Sequence, residues 1–257
     1  MREVYFLSDF GLADPYAAVV KAVMRQVAPG LVVHDLAHNL PPGDLRRASY
    51  ILYESVPYLP RQAVVLAVVD PGVGSSRRAV LVQGERLFYV APDNGLLTLA
   101  YLQDPPRRAY LLENPAYHLP RKSSTFHGRD VFGPVAAHLA AGVEPQRFGP
   151  ELPVQTLVRL PVQLSFGSQG EILTFDRFGN AITTLLATPA QIRGKVVRIR
   201  YHRIPTATHY AEVPVGGALA YVGSAGLLEV AVHLGNAREQ LGLKEGDRVE
   251  LVGQFSR

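Results

Sequence analysis

Hydrophobic positions along this chain fall into two regimes. In the first, short apolar runs alternate with longer stretches of helical period. "REVYFLSD" reads as a buried strand ending at Asp9. "DPYAAVVKAVMRQVAPG" predicts a helix that starts at Asp14-Pro15 and stops at Pro29-Gly30. "LVVHDLAH" is a second strand, ending at Asp35, and "GDLRRASYILYESVPYLP" a helix capped by Asp44 and closed before Pro60. "AVVLAVVD" is a third strand, ending on Asp70. "RAVLVQ" and "RLFYVAPD" predict a hairpin around Gly84-Glu85, "NGLLTLAYL" a further helix, and "RDVFGPVAAHLAAG" the last helix of this half. Strands alternating with helices argue for an α/β fold with a mostly parallel sheet covered on both faces.

The pattern changes after about Pro150. "EILTFDRFGNAITTL" predicts two strands around a tight turn at Arg177 to Asn180. "KVVRIRYHR", "HYAEVP", "LAYVGS", "LLEVAVH" and "DRVELVG" are short and strand-like, and only "NAREQLGL" reads as helical. Such a run implies a small antiparallel barrel or sandwich. The expected organisation is an α/β domain over 1–150, a proline-bearing linker over 151–166 and a β domain over 167–257.

Composition narrows the class. With 257 residues, 47% hydrophobic and 19% charged, the chain has enough apolar material to bury a core. It has no cysteine, which excludes disulfides and thiolate metal sites and makes a cytoplasmic location the default. The start lacks the pattern of a signal peptide, and no apolar run is long enough for a membrane span. Net charge is +4, yet no basic run interleaves with aromatics, so neither nucleic acid nor membrane is an expected partner.

The acids are placed more informatively. Asp9, Asp35, Asp70 and Asp93 fall at or near the C-terminal ends of expected strands. Open α/β sheets bind ligands outside those ends. Asp35 and Asp93 fit a capping role equally well. Asp9 and Asp70 close long apolar runs, where a carboxylate needs a definite partner. Such a rim suits a divalent metal, a ribose held through its hydroxyls, or a cationic small molecule. The chain has no phosphate-cradling glycine loop, no zinc-type histidine pair and no G-x-S-x-G nucleophile turn. Three other loops carry candidate chemistry: "KSSTFHGRDVFGP" with His127, "FDRFGNAITT" with Phe178, and "YVGSAGLLEVAV" with Ser224 between glycines.

Taken together, "SDFGLADPY", "VVDPGVGSSRR", "APDNGLLT", "STFHGRD", "DRFGNAITT" and "GSAGLLEVAV" resemble the S-adenosyl-L-methionine hydroxide adenosyltransferases, relatives of the adenosyl halogenases. The resemblance implies a Rossmann-like first domain, a small antiparallel β-barrel second domain, and a homotrimer with sites at subunit interfaces. It implies splitting of S-adenosyl-L-methionine by water into adenosine and methionine, with no cofactor and no metal. Asp70, Arg77 and His127 match the set that handles the nucleophilic water. Asp9 matches the ribose-binding aspartate. Phe178 and Asn180 match adenine and methionine contacts, with Asp176 near the amino-acid end. Ser224 lies in the segment that meets the methionine carboxylate. The halogenases carry Tyr-Ser where this chain reads His127-Gly128, which favours water over halide.

The residues fit that chemistry. A sulfonium is a good leaving group, and in-line attack at C5′ needs an oriented oxygen, a base and cationic stabilisation of hydroxide. Arg77 supplies the charge, and His127 or Asp70 the base. Three rivals remain at this stage: an adenosyl halogenase, a non-catalytic adenosine or S-adenosylmethionine binding protein, and a metal-dependent phosphoesterase using the strand-end acids.

Overall fold

The computed structural model describes residues 1–253, in two compact units, Met1–Leu160 and the remainder from Pro161. The first unit thus continues ten residues past 150, into the segment expected as a linker.

Its sheet has seven strands: β1 (Val4–Ser8), β2 (Val33–Ala37), β3 (Val64–Val68), β4 (Ala79–Gly84), β5 (Phe88–Pro92), β6 (Pro106–Leu111) and β7 (Glu151–Leu152), in the order β2-β1-β3-β5-β4-β6-β7. The pairs joining β2, β1, β3 and β5 are parallel, and those joining β5, β4, β6 and β7 are antiparallel. The sheet is therefore mixed, with β2, β1, β3, β5 and β6 all running one way. Strand β6 eluded the sequence pattern because Arg107 and Arg108 are exposed and only Ala109 and Tyr110 are buried. Strand β7 is two residues long and pairs only with β6.

Period-2 alternation splits β3 between two cores. Val64, Leu66 and Val68 face α1 (Tyr16–Val27) and α4 (Gly133–Ala140), meeting Val20, Met24, Val135 and Leu139. Val65, Ala67 and Val69 face α2 (Leu45–Ser55) and α3 (Ala100–Gln103), meeting Ala48, Leu52 and Ala100. Burial on both faces explains why β3 reads as an unbroken apolar run. Asp44 caps α2, its carboxylate accepting from the Arg47 amide at 2.9 Å. Asp14 makes no cap: α1 starts at Tyr16, with Pro15 in the capping position.

Two helices differ from expectation. The segment from Asn94 to Leu99 forms turns, and α3 is a single helical turn after them. The last helix of this unit opens with a π-turn over Gly128–Phe132. Pro134 has no N–H, so the Asp130 carbonyl is released from the helical ladder. It accepts instead from the Leu119 amide at 2.9 Å, which ties the loop before His127 to the helix start.

One buried carboxylate organises the β4–β5 hairpin. Asp104 has no exposed surface and accepts from the Arg86 amide (2.8 Å), the Leu87 amide (3.1 Å) and the Tyr89 hydroxyl (3.0 Å). Burial and the Asp104 charge push the Tyr89 phenol upward, so it stays a donor. A Cβ on Gly84 would sit 2.2 Å from Asp104 Oδ2, so the hairpin requires glycine there.

The second unit holds β8 (Gln169–Phe175), β9 (Ala181–Leu186), β10 (Lys195–Ile199), β11 (His202–Pro205), β12 (Ala218–Val222), β13 (Leu227–Val232) and β14 (Arg248–Gly253), with single-turn helices α5 (Pro189–Ile192) and α6 (Ala237–Gln240). All pairs are antiparallel, in the order β11-β10-β14-β8-β9-β13-β12. The two edges nearly meet: the Ala207 amide donates to the Ala220 carbonyl at 2.8 Å, beside a bridge between Thr206 and Ala220. The sheet is thus a nearly closed barrel around Ile172, Val197, Ile199, Leu228, Val230 and Val249. "KVVRIRYHR" is two strands, not one, because Arg200 turns the chain at φ 55°. "HYAEVP" is a 3-10 turn at Tyr210–Glu212, where the Glu212 carboxylate accepts from the Thr208 amide at 2.9 Å. Among the described residues no helix is long and apolar enough to cross a membrane.

Asp104→Ala should cost about 3 kcal/mol or more, because three donors lose their acceptor in a dry site. Asp104→Asn, which keeps one acceptor oxygen, should lose less. Urea unfolding midpoints give both, and equal losses would contradict the assigned role.

Candidate active site

The site begins where β3 runs out. Asp70 lies two residues past the strand, with its side chain only 6% exposed. Two turns fold the following loop back. The Val73 amide donates to the Asp70 carbonyl (3.2 Å), and both the amide (3.1 Å) and hydroxyl (2.6 Å) of Ser75 donate to the Gly72 carbonyl. The Arg77 amide then donates to Ser75 Oγ at 3.2 Å. The chain is thereby returned, and Arg77 Nε donates to both carboxylate oxygens of Asp70, at 2.9 and 3.0 Å. Arg77 Nη2 donates to Asp70 Oδ2 as well, and to His127 Nδ1 at 2.9 Å. The guanidinium lies over the Phe132 ring, 5.1 Å from its centre.

Gly74 makes this approach feasible. Its φ is +80°, and a Cβ there would stand 2.5 Å from the Ser124 carbonyl oxygen. The arginine loop and the loop that carries His127 therefore touch backbone to backbone. The histidine loop is held from below by Asp130, whose buried carboxylate accepts from the Ser123 amide (2.6 Å) and Arg129 Nε (2.6 Å). Burial alone would raise the Asp130 pKa, but the bonds from Arg129 and Ser123 outweigh it and hold it low.

A guanidinium can only donate, so His127 Nδ1 is the acceptor and the ring proton resides on Nε2. Burial first, then the Arg77 charge, pushes the imidazole below its ordinary value, against a weaker opposing pull from Asp70. Nearby His118 is buried, neither of its ring nitrogens has a partner, and burial lowers its pKa to about 4.

Asp9 follows β1 directly, and its Oδ2 accepts from the Gly43 amide at 2.8 Å. A Cβ at Gly43 would lie 3.6 Å from the Pro71 side chain, so the Asp9 and Asp70 loops are linked through residue 43. A cavity of about 460 Å³ lies on this unit, walled by Phe10, Tyr16 and Phe126 and edged by Ser123, Thr125 and Arg129. The other two candidate acids are engaged elsewhere, and Asp35 does not end its strand: β2 runs on to Ala37, which leaves Asp35 mid-strand opposite Phe6. Asp93 accepts from Arg78 Nε (2.8 Å) and the Val158 amide (2.9 Å). Asp35 pairs with Lys21 at 2.9 Å and His38 at 3.0 Å.

On the second unit, Asp176, Phe178 and Asn180 share one turn. Asp176 Oδ1 accepts from the amides of Phe178 and Asn180, both at 2.8 Å, and its Oδ2 from Asn180 Nδ2 at 2.8 Å. Asp176 thus shapes the turn, and Phe178 projects from it, 72% exposed. A cavity of about 530 Å³ beside it is lined by Phe178, Asn180, Tyr210, His233 and Leu234. Ser224 is exposed on a different turn, joining β12 to β13. A chain that the sequence did not reveal connects the two turns. Asn180 Nδ2 donates to Tyr210 Oη (3.4 Å), Tyr210 and Tyr221 share a 2.8 Å bond, and Tyr221 donates to Glu229 (2.7 Å). Glu229 backs directly onto Gly223, where a Cβ would fall 1.8 Å from Oε1. Tyr210 escaped notice because its segment reads as a strand. Among the described residues, no three His, Asp or Glu side chains are grouped to hold a metal ion.

Residues 4–149 match the SAM hydroxide adenosyltransferase N-terminal domain, and residues 170–250 match the C-terminal domain of the same family. The chain belongs to the SAM hydroxide adenosyltransferase family. A family relative named (R)-S-adenosyl-L-methionine hydrolase, from Thermus thermophilus, is 62% identical over 98% of this chain and 100% of its own length. One of the same name from Salinispora arenicola is 42% identical over 97% of each. A protein named fluorinase, from Nocardia brasiliensis, is far more distant, at 24% identity over 96% of each chain. A solved structure of a conserved hypothetical protein, also from Thermus thermophilus, superposes with a TM-score of 0.88 at 62% identity, covering 98% of this chain and 100% of that one.

Within this family member, Arg77→Gln should raise the His127 pKa, since the cation that opposes protonation goes and Asp70 remains. NMR titration of the imidazole reads the shift. In the unaltered protein the ring should titrate below 6.5, the ordinary value for histidine, with Nδ1 unprotonated in the neutral form. A ring protonated on Nδ1 would overturn the donor assignment.

Proposed function

We propose that this chain hydrolyses S-adenosyl-L-methionine to adenosine and L-methionine, by attack of water at C5′. The observation that carries the reading is Arg77, bonded at once to Asp70 and His127 beside the Asp9 loop. Residue by residue, the family's motifs support a nucleophilic water at this cluster and a ribose at Asp9.

Bond making and breaking follow from the sulfonium. The water oxygen bonds to C5′ as the C5′–S bond breaks, and the electron pair returns to sulfur as the methionine thioether. One water proton must leave. With Nδ1 engaged by Arg77, His127 offers Nε2–H, which is a donor and orients or stabilises the oxygen. Asp70 Oδ1 accepts only from Arg77 Nε, keeps a free lone pair, and is the proton acceptor in this arrangement. Arg77 fixes both groups and adds positive charge where hydroxide character develops.

The first unit is read as Rossmann-like, and Phe178, Asn180, Asp176 and Ser224 as contacts to adenine and methionine. The protein is expected to act as a homotrimer, with the site completed at the subunit interface, and without a cofactor. Water is favoured over halide by Gly128. A Cβ there would stand 2.9 Å from Phe10 Cζ and 3.4 Å from Val68 Cγ1, so the serine of the halogenases would displace Phe10.

Incubation of purified protein with S-adenosyl-L-methionine in chelator should release adenosine and methionine in equal amounts, read by chromatography. Added chloride or fluoride should yield no halogenated nucleoside. Binding without methionine release would sink the enzyme reading. Arg77→Ala and His127→Ala should each lower kcat about a hundredfold or more, with substrate binding within about tenfold. Asp9→Ala should act chiefly on KM. The reverse split would contradict the roles assigned.

A further inference from the structure

Directly behind Asp9 stands a Ser–His–Asp constellation that the hydrolytic reading does not use. Ser8 Oγ and His38 Nδ1 are 2.6 Å apart, and His38 Nε2 is 3.0 Å from Asp35 Oδ1. The distances are those of a nucleophilic triad, but the setting is not. Ser8 has no exposed surface and His38 is only 4% exposed, so no substrate carbonyl can reach the hydroxyl.

The hydroxyl is engaged on its other side as well. Ser8 Oγ accepts from the Phe10 amide at 3.4 Å, a serine turn that spans Asp9. The Gly11 amide donates to the His38 carbonyl at 2.8 Å. Main chain and side chain of His38 therefore hold the two flanks of the residue-9 loop. The donor sequence is self-consistent. Ser8 Oγ accepts from Phe10 and donates its own hydrogen to His38 Nδ1, since Nε2 of the neutral ring faces a carboxylate that can only accept. The imidazole then keeps its proton on Nε2 and donates to Asp35, which Lys21 of α1 anchors at 2.9 Å. The Phe6 ring meets the imidazole edge-on, 4.7 Å between centres, and limits its rotation.

We infer that Ser8, His38 and Asp35 are positioning residues that aim the Asp9 carboxylate. This rests on the reading of Asp9 as the ribose-binding aspartate. The set acts on nucleoside affinity and not on the bond-breaking step, which the Asp70 cluster serves.

The test is a double-variant cycle on the full protein, with steady-state kinetics on S-adenosyl-L-methionine and calorimetric binding of adenosine. Ser8→Ala and His38→Gln should each raise KM and weaken adenosine binding about tenfold, with kcat within about threefold. Ser8→Thr, which keeps the hydroxyl, should restore most of the affinity. Combined with Asp9→Asn, either variant should add less than about twofold to the loss from Asp9→Asn alone, as expected of groups acting through one another. Asp35→Asn, at an exposed position, gives a milder version of the same split should His38→Gln fold poorly. Losses that multiply in the double variants, or a fall in kcat with KM unchanged, would overturn the inference while leaving Asp9 in the ribose site. Asp9→Asn with undiminished adenosine binding would remove Asp9 from that site, and the inference with it.

Discussion

The site hangs on one guanidinium shared between a carboxylate and an imidazole. Asp70 closes a strand buried on both faces, and an isolated carboxylate there would be costly. Arg77 offsets that cost with a two-pronged bond, and it is itself shielded, with a side chain 10% exposed over Phe132. Its remaining N–H determines which nitrogen of His127 accepts. Charge, tautomer and orientation in this cluster therefore have a common cause. Removing the arginine would not merely delete a contact: it would leave a buried carboxylate unpaired and free the imidazole to change form.

The same reasoning sorts the acids on the sheet edge. Asp35 lies mid-strand in β2, opposite Phe6, while β1, β3 and β5 deliver Asp9, Asp70 and Asp93 to one edge of the sheet, where position alone makes them look equivalent. Their partners do not. Asp93 is tied to Arg78 and to the Val158 amide, which fastens the 156–158 segment to the sheet. Asp35, itself exposed, meets the Lys21 ammonium and the buried His38 ring. Asp9 receives one backbone amide through Oδ2, and Asp70 faces Arg77 and, across it, His127. Acceptor capacity is left on Asp9 and on Asp70 Oδ1 after the fold has been held together.

How much of this was legible in the sequence depends on the range of the interaction. Strands β1 and β3 and helices α1 and α2 were readable because their periodicity, caps and prolines are local. Strand β6 was not, because its arginines mask the pattern and its pairing with β4 is tertiary. The π-turn at Gly128–Phe132 follows from Pro134 together with a bond from Leu119, and only the proline is visible locally. The Asp70–Arg77 pair, seven residues apart across a glycine loop, was open to direct argument. His127 lies fifty residues from Arg77; its loop stood out locally, but only the resemblance to known motifs joined it to Arg77. Ser8 with His38, and Tyr210 with Tyr221 and Glu229, are side-chain networks between strands or loops, and nothing in spacing or composition announces them.

Packing around the cluster reaches beyond its polar groups. Gly128 adjoins the histidine, and Phe10 fills the space a side chain would take. Phe10 is packed against other rings. It meets Phe126 edge-on at 5.6 Å and Tyr16 at 6.2 Å, and those three rings wall the neighbouring cavity. A serine at 128 would push on the whole aromatic wall, and a tyrosine at 127 would replace the ring nitrogen that accepts from Arg77 by a phenol oxygen further from the main chain. Exchanging the His-Gly pair for Tyr-Ser would therefore strain the wall and unbalance the Asp70–Arg77 pair together. Positions 127 and 128 are thus coupled, through separate contacts, to the Asp70–Arg77 pair and to the aromatic wall.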